Sequence, residues 1–294
     1  WDMEIIKSAI ESMTSGEVLL LENLRQNKGE EENDQKFASR LSTFADMYVN
    51  DAFAVSHRPH ASVVGVTEFL TSYAGLLMQK EIANLSKVMS APEHPFLFIL
   101  GGAKFDTKIT LIRKFEKIAD EIFIGGALAN NFIKRLDMQI GKSLVDDSVD
   151  TSEFFNKEHI SIPFDVIVSP SNENVELAGV GSTDVIVDMG KETLLELKRK
   201  IASAKTILWN GPLGLYEKGF DVSSKEILET ISVSNAFSVI GGGDTVRLVS
   251  ELDLMEKFSF VSTGGGAMLE FLGSGSLPGI DALDQDKGFP QANL

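Results

Sequence analysis

The sequence predicts an α/β protein whose main sheet is parallel, and three observations carry that prediction. Five short apolar runs of strand type each end at a glycine-rich turn. They are FLFIL (Phe96–Leu100) before GGAK, EIFI (Glu121–Ile124) before GGAL, TILW (Thr206–Trp209) before NGPLG, FSVI (Phe237–Ile240) before GGGD, and FSFVS (Phe258–Ser262) before TGGGA. After all of these turns except NGPLG, the apolar spacing changes to that of a helix, as in Val246, Leu248, Val249 and Leu252. Lastly, strands of this kind collect their loops on one edge, where open α/β sheets bind ligands. A strand that turns sharply into a helix aims free N–H groups and a positive dipole end at one point. Without Cβ atoms there, a phosphate can approach the backbone. One such turn can exist without a ligand; five together predict a site for a phosphate-rich molecule.

Composition narrows the partners. The chain has 294 residues, 43% hydrophobic and 24% charged, enough for one large or two ordinary domains. Acidic residues outnumber basic ones 43 to 27, for a net charge of −16. Such a surface repels nucleic acid and anionic membranes, so neither is expected as a partner. A polyanionic ligand is compatible with it if a few basic residues are focused in one cleft. The chain has no cysteine, which excludes disulfides and thiolate metal sites and fits a reducing compartment. No apolar run reaches membrane-spanning length and no signal peptide is visible. Because the first residue is Trp1, the chain is expected to be a fragment or a processed piece.

In chain order, Met3–Met13 reads as a short helix with Ile5, Ile6 and Ile10 on its apolar face. VLLLEN (Val18–Asn23) reads as a strand, with Arg25 in the polar loop behind it. GEEEND (Gly29–Asp34) is a solvated turn and helix start, and Gln35–Met47 is amphipathic. YVNDAF (Tyr48–Phe53) is the next strand, and the loop after it carries His57, Arg58 and His60. Thr71–Ser90 reads as a longer helix with Leu76, Leu77, Ile82, Leu85 and Val88 buried. APEHP (Ala91–Pro95) breaks it and marks a domain boundary. Two further strands are expected at Phe164–Ser169 and Asp184–Asp188.

Several groups could do chemistry. Lys104 and Lys108 lie four apart at the start of the helix after GGAK, so both are expected on one face. Cations at a helix N-terminus oppose the dipole, and a bound anion would remove the conflict; ordinary surface lysines are the alternative. Asp244 is either an N-cap, as Thr245 can be, or a Mg²⁺ ligand against phosphates. GKS at Gly141–Ser143 lacks the first glycine of a phosphate-binding Walker loop, and GVGSTD (Gly179–Asp184) lacks the last glycine of a dinucleotide fingerprint. His57 and His60 have no obvious further metal ligand nearby and read better as polar loop residues beside Arg58. Trp209 reads as core.

Taken together, these strings resemble the phosphoglycerate kinase family. LLENLRQNKGEE and YVNDAFAVSHRPHAS resemble its substrate-domain segments. GGAKFDTKI, GGALANNF, ILWNGPLGLYE, IGGGDT and STGGGAMLEFL resemble its nucleotide-domain motifs in order, with LPGIDAL last. The likeness runs from about Val18 to Leu283.

The resemblance implies two Rossmann-like α/β domains with parallel sheets, each a three-layer α/β/α arrangement, joined by a helix and closing by a hinge. It implies residues 1–75 as the remainder of an N-terminal 3-phosphoglycerate domain and 76–90 as the interdomain helix. Residues 91–276 would be the nucleotide domain, and 277–294 a tail returning to the first domain. Arg25 and Arg58 resemble the arginines for the phosphate and carboxylate of 3-phosphoglycerate. Lys104 resembles the lysine that meets the transferring phosphoryl group, while Gly243 and Gly265 match glycine turns facing it. Nucleotide binding is implied for Gly102, Ala103, Lys108, Gly125, Gly126, Asn210, Pro212, Glu217, Gly242, Gly243, Asp244 and Thr245. Within that set Glu217 matches the ribose acid and Asp244 the Mg²⁺ ligand.

The implied reaction is Mg²⁺-dependent exchange between 1,3-bisphosphoglycerate with ADP and 3-phosphoglycerate with ATP, by a cytoplasmic monomer. The family's Asp-x-Asn strand, the arginine after it and its His-x-Gly-Arg loop have no counterpart in this sequence, so the N-terminal domain is expected to be incomplete. The chain alone is therefore expected to bind nucleotide with little turnover. The alternative is a non-catalytic ADP- or ATP-binding remnant. Pro59 and Ala54 stand where the family has small residues or glycine, and Ala127 replaces the third glycine of a GGG turn.

Overall fold

The computed structural model describes residues 2–103, 105–155 and 157–283. The chain divides into two units, Trp1–Ile82 with Ser274–Leu294, and Ala83–Gly273. In the first unit, α1 (Met3–Glu11) is capped by the Asp2 carboxylate, which accepts from Glu4 N at 3.0 Å. A 3₁₀ turn at Leu24–Gln26 leads to α2 (Lys28–Glu31) and α3 (Gln35–Ser42). Asp34 caps α3 by accepting from Phe37 N at 2.7 Å, and Phe37, Ala38 and Ala61 form a small buried nucleus.

The strands of this unit are β1 (Met47–Asn50) and β2 (Thr71–Ala74), a parallel pair. In register, Met47 faces Thr71 and Val49 faces Tyr73. Met47, Val49 and Tyr73 are all exposed, so this sheet has one apolar face open to water, while Asn50 and Ser72 of the alternate positions are buried.

Two expectations for this unit need correction. Val18–Asn23 is not a strand: no ladder partner stands beside it among the described residues, and Val18 and Leu20 are 91% and 92% exposed. Its apolar residues suit a strand, but a strand exists only through its neighbours. Thr71 does not begin a helix either. Thr71–Ala74 pairs with β1, and α4 (Leu76–Ser90) starts only after Gly75. The Asp51 carboxylate accepts from Met78 N at 3.0 Å and so satisfies the open start of α4 from the end of β1. β1 also stops short of the predicted strand end, because Phe53 enters a 3₁₀ turn and is fully buried.

The second unit is built on a six-stranded sheet. Its strands in chain order are β3 (Phe96–Leu100), β4 (Glu121–Ile124) and β5 (Ile160–Ser161), then, further along, β9 (Thr206–Asn210), β10 (Phe237–Gly241) and β11 (Phe260–Val261). The order across the sheet is β11-β10-β9-β3-β4-β5 and every pairing is parallel. All five glycine-edged runs thus lie in one parallel sheet, as expected.

Between β5 and β9, β6 (Asp165–Ser169), β7 (Glu173–Glu176) and β8 (Val185–Met189) make a separate antiparallel sheet in the order β7-β6-β8. The helices are α5 (Phe105–Phe115), α6 (Gly126–Arg135), α7 (Lys191–Ser203), α8 (Val222–Ser232), α9 (Gly243–Glu251) and α10 (Gly266–Ser274). Leu97, Ile99, Ile207 and Trp209 of the sheet pack with Leu197, Ile201, Ile227, Ile231 and Leu248 of these helices. Phe96 and Phe98 instead meet Phe115 of α5, with ring centroids 5.9 and 4.8 Å away. Both faces of β3 are therefore buried, which is why it reads as an unbroken apolar run.

The chain returns to the first unit in α11 (Pro278–Asp281), where Gly279 N donates to Ser56 O at 2.8 Å. Of the tail 277–294, residues 284–294 lie outside the described residues.

Candidate functional site

β3 and β9 are neighbours, yet the strands that follow them in sequence lie on opposite sides. The crevice beyond their C-terminal ends is the switch point of the sheet. Backbone hydrogen bonds stitch the loops there together. Gly101 N donates to Asn210 O (2.9 Å), Gly102 N to Pro212 O (2.8 Å) and Gly126 N to Leu213 O (3.1 Å). The approach needs glycine: a Cβ on Gly101 would stand 2.2 Å from Pro212 O.

Lys108 braces the same loops. It is 3% exposed, and its Nζ donates to Gly101 O. It is therefore no ordinary surface lysine, because α5 turns this position under the loops rather than out to solvent. Lys104 itself lies outside the described residues.

The turn after β10 is built differently from its sequence signal. Gly242, at φ 94°, is the residue before α9, and no side chain caps the helix. Asp244 and Thr245 are not N-caps but sit inside the first turn. The Thr245 hydroxyl is fully buried and accepts from Gly211 N at 3.1 Å, tying α9 to the loop after β9. Asp244 Oδ1 accepts from Tyr216 Oη at 3.0 Å. With these side chains engaged elsewhere, the first N–H groups of α9 stay open to a ligand. Asn210 is buried, its Nδ2 3.8 Å from the Met268 sulfur.

A cavity of about 380 Å³ opens at this point. Gly102, Ala103, Gly126, Pro212, Glu217 and Asp244 line it together with Ala127, and Ile133, Leu144, Val185, Val187 and Leu213 give it an apolar wall. A concave site with an apolar wall and few polar groups suits a heterocycle carrying a charged tail. Gly125, Asn210, Gly242 and Thr245 stand in the adjoining turns. Gly243 and Gly265 have no atom within 4 Å of where a Cβ would be, so both are open to approach. Gly265 belongs to the turn before α10, at φ 52°.

Arg25 and Arg58 belong to the first unit. Arg25 Nε is 4.0 Å from Glu31 Oε1, and Arg58 Nε donates to His57 Nε2 at 3.3 Å. The Arg58 loop is anchored by buried Glu30, which accepts from Ser62 Oγ at 2.6 Å and lies 3.6 Å from His60 Nδ1.

Sequence reasoning missed Asp188 at the end of β8, which also lines the cavity. Burial pushes its carboxyl up to about 6, with the Asp221 charge adding to the shift; hydrogen bonds from Ser223 and Met189 oppose it. A lone acid at a strand end carries no pattern that could have pointed to it. Tyr216 was missed too, since an aromatic residue before Glu217 reads as core.

The phosphoglycerate kinase family model matches residues 2–275. The chain belongs to the phosphoglycerate kinase family. It is 40% identical over 292 residues to the phosphoglycerate kinase of Coprothermobacter proteolyticus, covering 95% of this chain and 74% of that one. To the phosphoglycerate kinase of Dictyoglomus turgidum it is 42% identical over 299 residues, with 97% and 75% covered. The solved phosphoglycerate kinase of Coxiella burnetii superposes with a TM-score of 0.83 at 35% identity, over 92% of this chain and 73% of that one. That of Pyrococcus horikoshii gives 0.81 at 30% identity, over 94% and 75%. Phosphoglycerate kinases are phosphotransferases, and the two-domain α/β fold of the family agrees with the parallel sheet described above.

Proposed function

We propose that this protein carries out Mg²⁺-dependent phosphoryl transfer between 1,3-bisphosphoglycerate with ADP and 3-phosphoglycerate with ATP, a step of glycolysis. The observation that supports this reading best is the cavity at the switch point, where the glycine turns after β3, β4, β9 and β10 meet beside an apolar wall. In this reading the base lies against Ile133, Leu144 and Leu213, and Glu217 accepts from the ribose hydroxyls. The phosphates lie on the uncapped start of α9, reached through Gly242 and Gly243. Lys108 acts from beneath the loops by holding their spacing. Arg25 and Arg58 receive the acidic substrate, each guanidinium gripping an oxyanion with two N–H groups. Lys104 meets the transferring group.

The residues present fit Mg²⁺. Asp244 offers a single carboxylate at the cavity, and Mg²⁺ is commonly held by one or two carboxylates together with substrate phosphates. Bound there, the ion would neutralise charge on the phosphates. The protein's own part is positioning and electrostatic stabilisation, which is most of what phosphoryl transfer asks of an enzyme. A monomeric, cytoplasmic enzyme completes the proposal.

Calorimetry with Mg·ADP tests the nucleotide site. Binding at one site is expected, and Glu217→Ala should weaken it by about 1–2 kcal/mol, the scale of a lost hydrogen bond to a charged group. No binding by a folded chain would overturn the reading. A coupled assay of ATP consumption driven by 3-phosphoglycerate tests the reaction, on this chain and on the same chain with a phosphoglycerate kinase N-terminal segment fused before Trp1; no turnover in either would favour the non-catalytic alternative.

A further inference from the structure

We propose that Tyr216 is a positioning residue for the metal–nucleotide complex, its hydroxyl fixing the Asp244 carboxylate in the orientation that leaves Oδ2 for the ligand. The inference rests on the reading of Asp244 given above. Tyr216 opens the 3₁₀ turn Tyr216–Lys218, between Leu215 and Glu217, which both line the cavity. Its ring packs against the hydrophobic core of the second unit, so the hydroxyl is delivered from a rigid base. That hydroxyl donates to Asp244 Oδ1 at 3.0 Å, while Oδ2 takes no hydrogen bond among the described residues.

The nature of the partner matters as much as the distance. Arg247 lies one turn further along α9 and could have been an ion partner for Asp244. Its Nε donates to Glu251 Oε1 at 2.9 Å instead, and its guanidinium also meets the Tyr216 hydroxyl rather than the Asp244 carboxylate. No lysine or arginine among the described residues pairs with Asp244. A cation there would compete with a metal for the carboxylate, whereas a neutral hydroxyl orients it and leaves its charge in place. Fixing the side chain beforehand also removes part of the ordering cost of binding. One short segment, Tyr216–Glu217, thus serves two points of the nucleotide: Glu217 directly, and the metal through Asp244.

Tyr216→Phe keeps the ring against the core and removes only the hydroxyl. Calorimetry would measure the dissociation constant of ADP with Mg²⁺, and of ADP in EDTA, for the wild type, Tyr216→Phe, Asp244→Asn and the double variant. Tyr216→Phe is expected to weaken Mg·ADP about three- to tenfold while changing metal-free ADP less than about twofold. The double variant should bind Mg·ADP as Asp244→Asn does. Equal effects of Tyr216→Phe with and without metal, or no effect, would overturn the inference even if Asp244→Asn shows the metal dependence. If Asp244→Asn shows none, the reading of Asp244 falls, and the inference with it.

Discussion

Asp188 sits where burial and hydrogen bonding oppose each other. Its carboxylate accepts from Met189 N at 2.9 Å, Ser223 N at 3.2 Å and the Ser223 hydroxyl, yet burial wins and holds its pKa at about 6. The folded value is above the ordinary carboxylate value of about 3.9. Between those two values the folded state binds more protons than the unfolded one, so stability from this group falls as pH rises from about 4 to about 6. The loss is complete above that window and, for a shift of this size, amounts to about 2–3 kcal/mol. Asp188→Asn, which cannot ionise, is expected to flatten this part of the curve. Urea midpoints measured from pH 4 to 8 check it; a wild-type-to-variant difference that stays constant across the range would refute the assignment. Neither Asp188 nor the inward turn of Lys108 could be read from the sequence, because both depend on which loops close over them. Glu217 and Asp244, which line the cavity, were legible as candidates because each stands in a string that resembles a family motif. The direction each side chain takes was not.

At the scale of elements, two glycines separate fold from function. Gly101→Ala would put a methyl 2.2 Å from the Pro212 carbonyl, a backbone atom that cannot yield. The loops after β3 and β9 would have to part, and a stability loss of at least about 2 kcal/mol is expected, with nucleotide binding lost as well. Gly243→Ala meets nothing within 4 Å and sits at an ordinary backbone angle at the start of α9. Its stability should hold or rise by up to about 1 kcal/mol, since alanine is the better helix residue. Its Mg·ADP affinity should nevertheless fall at least about tenfold if the phosphate takes the proposed path over Gly243, which the methyl would occupy. Calorimetry and thermal melts on both variants check the pair; unchanged affinity in Gly243→Ala would mean that the phosphate does not come this way. Five of the six strands of the parallel sheet were legible as apolar runs ending at glycine turns, whereas β5, two half-buried residues long, was not. ENVE (Glu173–Glu176) was not, since its side chains are largely exposed and only pairing with β6 makes it a strand. Val18–Asn23 failed in the opposite way, having the composition without the partner.

Among the described residues, the two units bury apolar side chains to different extents. A cluster in the second unit gathers buried residues from β3, β4, β8, β9 and β10 and their helices, whereas the first unit has the nucleus of Phe37, Ala38 and Ala61 beside other buried residues such as Phe53, Val63, Val66 and Met78. Denaturant unfolding is expected to show two transitions, the first unit going at lower urea. ADP with Mg²⁺ should move only the second transition, by about 2.7 kcal/mol at a hundredfold excess over the dissociation constant. Fluorescence of Trp209, fully buried beneath the switch loops, would report the second transition. A ligand shift of both transitions together would contradict the separate assignment of nucleotide to one unit. In the sequence the change of texture falls at Ala91–Pro95, whereas the chain passes from the first unit to the second between Ile82 and Ala83, within α4. Two strands of the separate antiparallel sheet were expected, at Phe164–Ser169 and Asp184–Asp188, but not their pairing in a sheet of their own, because nothing in an isolated strand names its neighbour.

The open face of β1 and β2 has a consequence for the protein as a colloid. Met47, Val49 and Tyr73 present a sticky patch, with Val18 and Leu20 also bare to water. In dilute buffer copies repel one another at a net charge of −16. Added salt shortens the reach of that repulsion from about 10 Å at 0.1 M to about 3 Å at 1 M, while apolar attraction is untouched or strengthened. Light scattering should therefore show self-association growing with salt, the reverse of what a charge-driven assembly would do. Val49→Lys, which breaks the patch without burying a charge, should hold the scattering flat.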